Sequence, residues 1–128
     1  MKQPEHIEQC ALIRWAAYNQ KKYPELELLF AIPNGGARHP ATAVKLKAEG
    51  VKAGMPDLCL PVQRGIYIGL WIEMKFGRNK PTKQQIECHM RLMHHGHRVV
   101  VCYSWTAAVD AIIDYLIGKP TVDLRAAA

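Results

Sequence analysis

Pro56-Asp57-Leu58-Cys59-Leu60-Pro61-Val62, then Gln63-Arg64-Gly65, then Ile66-Tyr67-Ile68-Gly69-Leu70-Trp71-Ile72-Glu73-Met74-Lys75, is the stretch that decides the fold. Two apolar runs of strand length joined by a short Arg-Gly link read as a β-hairpin. The second run is apolar on both faces until Glu73, which predicts a central strand. Pro61 has no amide hydrogen for a ladder, so the first run is expected at an edge or with a bulge. Glu73 does not fit: a carboxylate ending so apolar a strand is costly unless paired, hydrated or bound to a cation. Lys75 follows at the strand's period of two and therefore shares a face with Glu73.

Whether Asp57 joins them depends on register. With Arg64-Gly65 as a two-residue link, Gln63 opposes Ile66, Asp57 falls opposite Ile72, and its side chain points to the wrong face. A three-residue link sets Asp57 directly opposite Glu73. A two-residue link with a bulge at Pro61 makes the two acids diagonal neighbours on one face. A site shared by Asp57 and Glu73 therefore requires a bulge or an odd link.

Working outward, Pro4-Glu5 opens a helix, and Ile7, Ala11, Trp15 and Tyr18 predict an apolar stripe along it until about Lys22. Leu28 to Ile32 is a short strand ended by Pro33-Asn34-Gly35-Gly36, and Ala41 to Glu49 a short helix closed by Gly50. Beyond the hairpin, Thr82-Lys83-Gln84-Gln85 fits a capping box, with Ile86, Met90 and Met93 as the stripe of a helix ending near Gly96. Arg98 to Tyr103 is a β-branched strand, and Ser104 caps a last helix through Ala108, Ile112 and Leu116. The order α-β-α-β-β-α-β-α predicts one α/β domain over residues 1–118 around a mixed sheet, with a patternless, mobile tail over 119–128. The strand, helix and strand from Ile66 to Tyr103 form a parallel crossover.

The whole chain has 128 residues, the size of one domain, and its 49% hydrophobic and 22% charged residues suit a packed core rather than disorder. Seventeen Lys and Arg against eleven Asp and Glu give +6, which favours a polyanionic partner. No run is long and apolar enough for a membrane span, and the N-terminal residues lack an apolar signal core. Cys10, Cys59, Cys88 and Cys102 lie far apart without a C-x-x-C pair, so free thiols in a reducing compartment, the cytoplasm, are expected. Cys88-His89, His94-His95 and His97 match no zinc spacing; histidines at a helix end suit the negative pole of its dipole.

Two carboxylates converging at the open end of a sheet make a hard oxygen site suited to Mg²⁺ or Mn²⁺. Pro56-Asp57 followed by Glu73-Met74-Lys75 on the next strand resembles the PD-(D/E)xK nuclease signature. The wider run is similar to the VRR-NUC branch of that superfamily: Glu8 on the first helix, Pro33-Asn34-Gly35-Gly36, Gly50 with Gly54-Met55-Pro56-Asp57, and Gln85 after the triad. The Val-Arg-Arg triplet behind the family name is absent; Arg98-Val99-Val100 is the nearest stretch. The resemblance implies a restriction-endonuclease-like core, a mixed four-stranded sheet flanked by helices. It implies Mg²⁺- or Mn²⁺-dependent cleavage of DNA, with Asp57, Glu73 and the Met74 carbonyl on the metal and Lys75 acting on the attacking water. Glu8 and Gln85 complete the implied site through direct or water-mediated contacts. Stand-alone short members resemble Holliday-junction resolvases, selective for branched DNA, and act as homodimers.

Each residue also has a plainer reading. Asp57 can cap a turn, Glu73 and Lys75 can form a surface ion pair, Gln85 can serve the capping box and Glu8 the helix dipole. Arg38, Arg78, Lys80 and Lys83, with Asn34, lie on loops or helix starts near the expected strand ends and suit phosphate contacts. Lys45, Lys47 and Lys52 add to that basic surface. A non-catalytic DNA-binding module on the same fold and a small-molecule phosphate hydrolase are the competing classes.

Overall fold

The computed structural model describes residues 3–33 and 39–118. Asn34, Arg38 and the tail over 119–128 lie outside the described residues. The elements are α1 (Gln3–Tyr18), a 3-10 turn (Pro24–Leu28), β1 (Phe30–Ala31), α2 (Pro40–Ala48), β2 (Leu58–Leu60), β3 (Leu70–Met74), α3 (Lys83–His94), β4 (Arg98–Cys102) and α4 (Trp105–Ile117). One mixed sheet runs β1-β2-β3-β4, antiparallel across the first two pairs and parallel across β3 and β4, with α3 as the crossover. The expected α/β architecture with a four-stranded mixed sheet is what the chain adopts.

Strand β3 is paired on both sides, as its unbroken apolar run requires. Its even-numbered residues Leu70, Ile72 and Met74 are essentially inaccessible and join Leu58 and Leu60 of β2 and Cys102 of β4. Leu12 and Ala16 of α1 and Ala108, Ile112, Tyr115 and Leu116 of α4 close this core over one face. The odd-numbered residues Trp71 and Glu73, with Lys75 beyond, therefore point to the opposite face, toward α3.

Several local readings shift. The first strand shrinks to Phe30–Ala31, because Pro24 opens a 3-10 turn that buries Leu26 instead of extending the chain. In α1 the expected stripe is met only in part: Trp15 packs against the core, but Ile7 and Tyr18 are 55% and 87% exposed, while Glu5, Leu12 and Ala16 are buried. The same happens in α3, where Ile86 and Met90 face water and His89 is the buried residue. Each buried face is rotated from the apolar stripe, since each helix turns a polar side chain inward. The stripe of α4, which contains no such residue, is met in full by Ala108, Ile112 and Leu116. Both expected caps form: Thr82 and Gln85 make the reciprocal box at the start of α3, and Ser104 Oγ accepts from the Ala107 amide at 3.0 Å.

The hairpin resolves the register question. Leu58, Cys59 and Leu60 oppose Ile72, Trp71 and Leu70, so the ladder continues to Asp57 against Glu73. The tip is one residue later than expected, a turn at Gly65-Ile66 closed by the Arg64–Tyr67 bridge. Three residues then separate Leu60 from Arg64, against two between Tyr67 and Leu70. The surplus residue is taken up next to Pro61, where the Val62 amide bonds back to the Leu60 carbonyl at 2.9 Å. Pro61 thus lies just beyond the ladder, and its strand is internal rather than at an edge. Arg64 fixes this tip by donating to the Leu116 carbonyl and pairing with Glu25.

Helix α2 differs from the rest: it has no buried residue, and Val44, Lys45 and Lys47 are exposed.

Candidate functional site

Among the described residues, the buried polar and charged side chains are Glu5, Asp57, Glu73, Lys75 and His89. They come from α1, the residue before β2, the end of β3 and α3, and their contacts and mutual fields link them into one cluster. Asp57 Oδ2 accepts the Met74 amide at 2.7 Å, which fixes its carboxylate across the β2–β3 pair. Asp57 stands opposite Glu73 across the ladder, and both Asp57 and the Lys75 charge act on the Glu73 carboxyl. Glu73 Oε1 lies 3.2 Å from His89 Nε2. Lys75 is held in line by its amide, which donates to the Cys102 carbonyl at 2.9 Å and prolongs the parallel ladder beyond β3.

Burial pushes the Glu73 carboxyl above its ordinary range; the Asp57 hydrogen bond and the Lys75 charge oppose this, and the Glu5 carboxylate adds to it. His89 is pulled the other way, down, by burial and by the Lys75 charge, against the attraction of Asp57. Burial thus favours the neutral imidazole, and opposite an ionised Glu73 the 3.2 Å contact is an Nε2–H donating to Oε1.

The loop before β2 is tied to α3. Gly54, at φ +88°, sits so close to Gln84 that a Cβ there meets the Gln84 carbonyl oxygen at 3.0 Å. Cys88 Sγ lies 3.3 Å from Met55 Sδ just beyond. These contacts bring the segment leading to Asp57 against the helix that carries His89.

The structure brings Asp57, Glu73 and Lys75 together as the register arithmetic required. The contacts made by Glu8 and Gln85 are caps. Glu8 Oε2 accepts the Trp105 amide at 3.3 Å at the start of α4, and Gln85 Oε1 accepts the Thr82 amide at 2.9 Å. The helical groups whose contact or charge reaches Glu73 are Glu5, one turn before Glu8, and His89, one turn after Gln85. Neither was read from the sequence. The available signal was the phase of each helix, since Glu5 and His89 occupy the buried faces of α1 and α3. Arg78, Lys80 and Lys83 are exposed on the loop after Lys75 and at the first turn of α3. His94 and His95 end α3, while His97 accepts the Trp71 indole N–H at 3.0 Å.

No three His, Cys, Asp or Glu side chains among the described residues are grouped to hold a metal by themselves. The two carboxyls that face each other suit a hard divalent cation completed by backbone oxygen and water. Two such acids side by side are both ionised only with positive charge between or beside them.

A mixed four-stranded sheet carrying two acids and a lysine at the end of its central hairpin defines a nuclease-type domain. The model of the VRR-NUC domain matches residues 2–105, so the chain belongs to the VRR-NUC family. A solved structure described as a VRR_NUC domain protein is 29% identical, with 96% of this chain and 95% of that one covered at a TM-score of 0.75. No curated protein matches the chain.

Proposed function

We infer that this domain is a Mg²⁺- or Mn²⁺-dependent DNA endonuclease, selective for branched structures in the manner of a Holliday-junction resolvase and active as a homodimer. The observation that carries the reading is that the buried Asp57 and Glu73 face each other from adjacent strands beside a buried Lys75. Asp57, Glu73 and the Met74 carbonyl are the groups to hold the cation. A cation held there would polarise a phosphodiester oxygen and lower the pKa of its water toward neutrality. Lys75 is placed to orient or deprotonate the attacking water, or to offset charge developing on the phosphate. Glu8 and Gln85, which also form caps at the helix starts, are assigned to complete the site through direct or water-mediated contacts. Arg78, Lys80 and Lys83 present their charges where a phosphate backbone entering beside β3 is met, and Arg38 and Asn34 are assigned the same task. No helix among the described residues is long and apolar enough to cross a membrane, and the four cysteines are free, which supports action in the reducing cytoplasm.

The test is a cleavage panel of four-way junction, flap, splayed and linear DNA with Mg²⁺ and with Mn²⁺. Asp57→Ala and Lys75→Ala are expected to lose at least about a hundredfold in nicking, on the scale of removing a general acid–base group, while still binding DNA. Equal cutting by these variants overturns the assigned roles. DNA binding without cutting by the wild type indicates the binding-module class, and cleavage of a phosphate monoester alone indicates the hydrolase class. A monomeric mass by light scattering where junction cleavage persists overturns the homodimer.

A further inference from the structure

Helix α3 meets Glu73 through the side chain of a histidine. His89 is 6% exposed and the only buried residue of its helix, and its Nε2 lies 3.2 Å from Glu73 Oε1. A helix that packs on a sheet ordinarily buries apolar groups. Replacing one by an imidazole aimed at a buried carboxylate leaves a donor that must be satisfied, and Glu73 satisfies it. Glu73 is 2% exposed, so water does little to fix its carboxyl group; neighbouring groups determine its rotation. Asp57 is fixed in turn by the Met74 amide at 2.7 Å. Each of the two acids is thus gripped by a donor from outside its own side chain: backbone for Asp57 and imidazole for Glu73.

We propose that His89 is a positioning residue of the cation site, its Nε2–H holding the Glu73 carboxylate in the rotamer that leaves the other oxygen turned toward Asp57. The assignment rests on the reading of Asp57 and Glu73 as cation-holding groups. An orienting donor on a metal-ligating carboxylate is commonly worth about 10- to 100-fold in affinity. The geometry that matters is reach. A glutamine amide extends about as far from the backbone as imidazole Nε2, whereas an asparagine amide stops near the position of Nδ1.

The experiment compares wild type, His89→Gln and His89→Asn by calorimetric titration with Mn²⁺ and with Mg²⁺, without DNA. Thermal melting of the cation-free proteins is measured alongside. The expected result is binding within about threefold of wild type for His89→Gln and at least about tenfold weaker for His89→Asn. Equal affinities for both amides and wild type overturn the proposal, as does a loss in His89→Asn matched by an equal loss in His89→Gln. Imidazole nitrogen NMR of the wild type gives a readout that needs no variant. The His89 ring is expected as the Nε2–H tautomer, its signal shifting on Mg²⁺ titration with the calorimetric midpoint. A His89 signal unchanged at saturation overturns the proposal. Cation binding that depends on His89 as stated, in a protein that cuts no DNA, upholds the positioning role and refutes the nuclease reading. Cutting that is lost in Asp57→Ala with His89→Asn binding cation normally does the reverse.

Discussion

Asp57, Glu73 and Lys75 were legible because their chemistry violates its surroundings: an apolar strand does not end in Glu73 without a reason. Glu5 and His89 were hidden for the opposite reason. Each lies within an ordinary helical pattern, Glu5 as a first-turn acid and His89 beside other histidines near a helix end, so plain explanations absorbed them. Only the phase of the packed helix, set by the tertiary contacts, distinguishes the inward residue from its neighbours. The cysteines carry a further residue-scale consequence. Burial pushes the Cys59 and Cys102 thiols up to about 11 from an ordinary 9.0. The folded state therefore keeps protons that the unfolded chain releases between these values. Stability from these two groups is fully present below about pH 9 and is lost as pH rises through about 11. Urea midpoints measured from pH 8 to 11 are expected to fall across that window in wild type and to flatten in the Cys59→Ala, Cys102→Ala double variant.

At the scale of elements, caps were readable because each depends on a few neighbouring residues. Thr82 with Gln85 and Ser104 with the Ala107 amide are short-range chemistry. The hairpin was readable only as a set of alternatives, since the sequence shows two apolar runs without showing where the chain turns between them. The fit of Leu58 and Leu60 against Leu70 and Ile72 in the core selects the register, and the irregular turn beside Pro61 accommodates it. The extent of strands was the least readable feature: the apolar run from Ile66 is expected as ladder, yet Ile66 and Ile68 lie exposed in the hairpin tip. The loop carrying Asp57 against α3 supplies the element-scale prediction. Gly54→Ala puts a Cβ at positive φ and 3.0 Å from the Gln84 carbonyl oxygen, so loop or helix must retreat. A loss of about 1–2 kcal/mol is expected from the backbone conformation alone, measured by urea unfolding. Cation affinity is expected to fall with it, because Asp57 is displaced.

At the scale of the molecule, the architecture followed from the alternation of helices and strands, and the α1 and α4 layer over Leu58, Leu70 and Ile72 gives it a single core. Nothing in the sequence order announced that α2 takes no part in that core. The glycine stop that marks it in the sequence is local and says nothing about packing. The segment bearing Lys45, Lys47 and Lys52 joins β1 to β2 while burying no side chain along the helix. The molecule is thus separable into two pieces at this joint. Brief trypsin treatment is expected to cut there first, leaving fragments that co-elute on gel filtration because α1 and β1 remain locked onto β2 and α4. Separate elution of the pieces would refute it. The larger piece retains Asp57, Glu73, Lys75 and His89, while the smaller contributes Glu5, so a split version reassembled from two polypeptides would place a single carboxylate under the control of its partner's arrival.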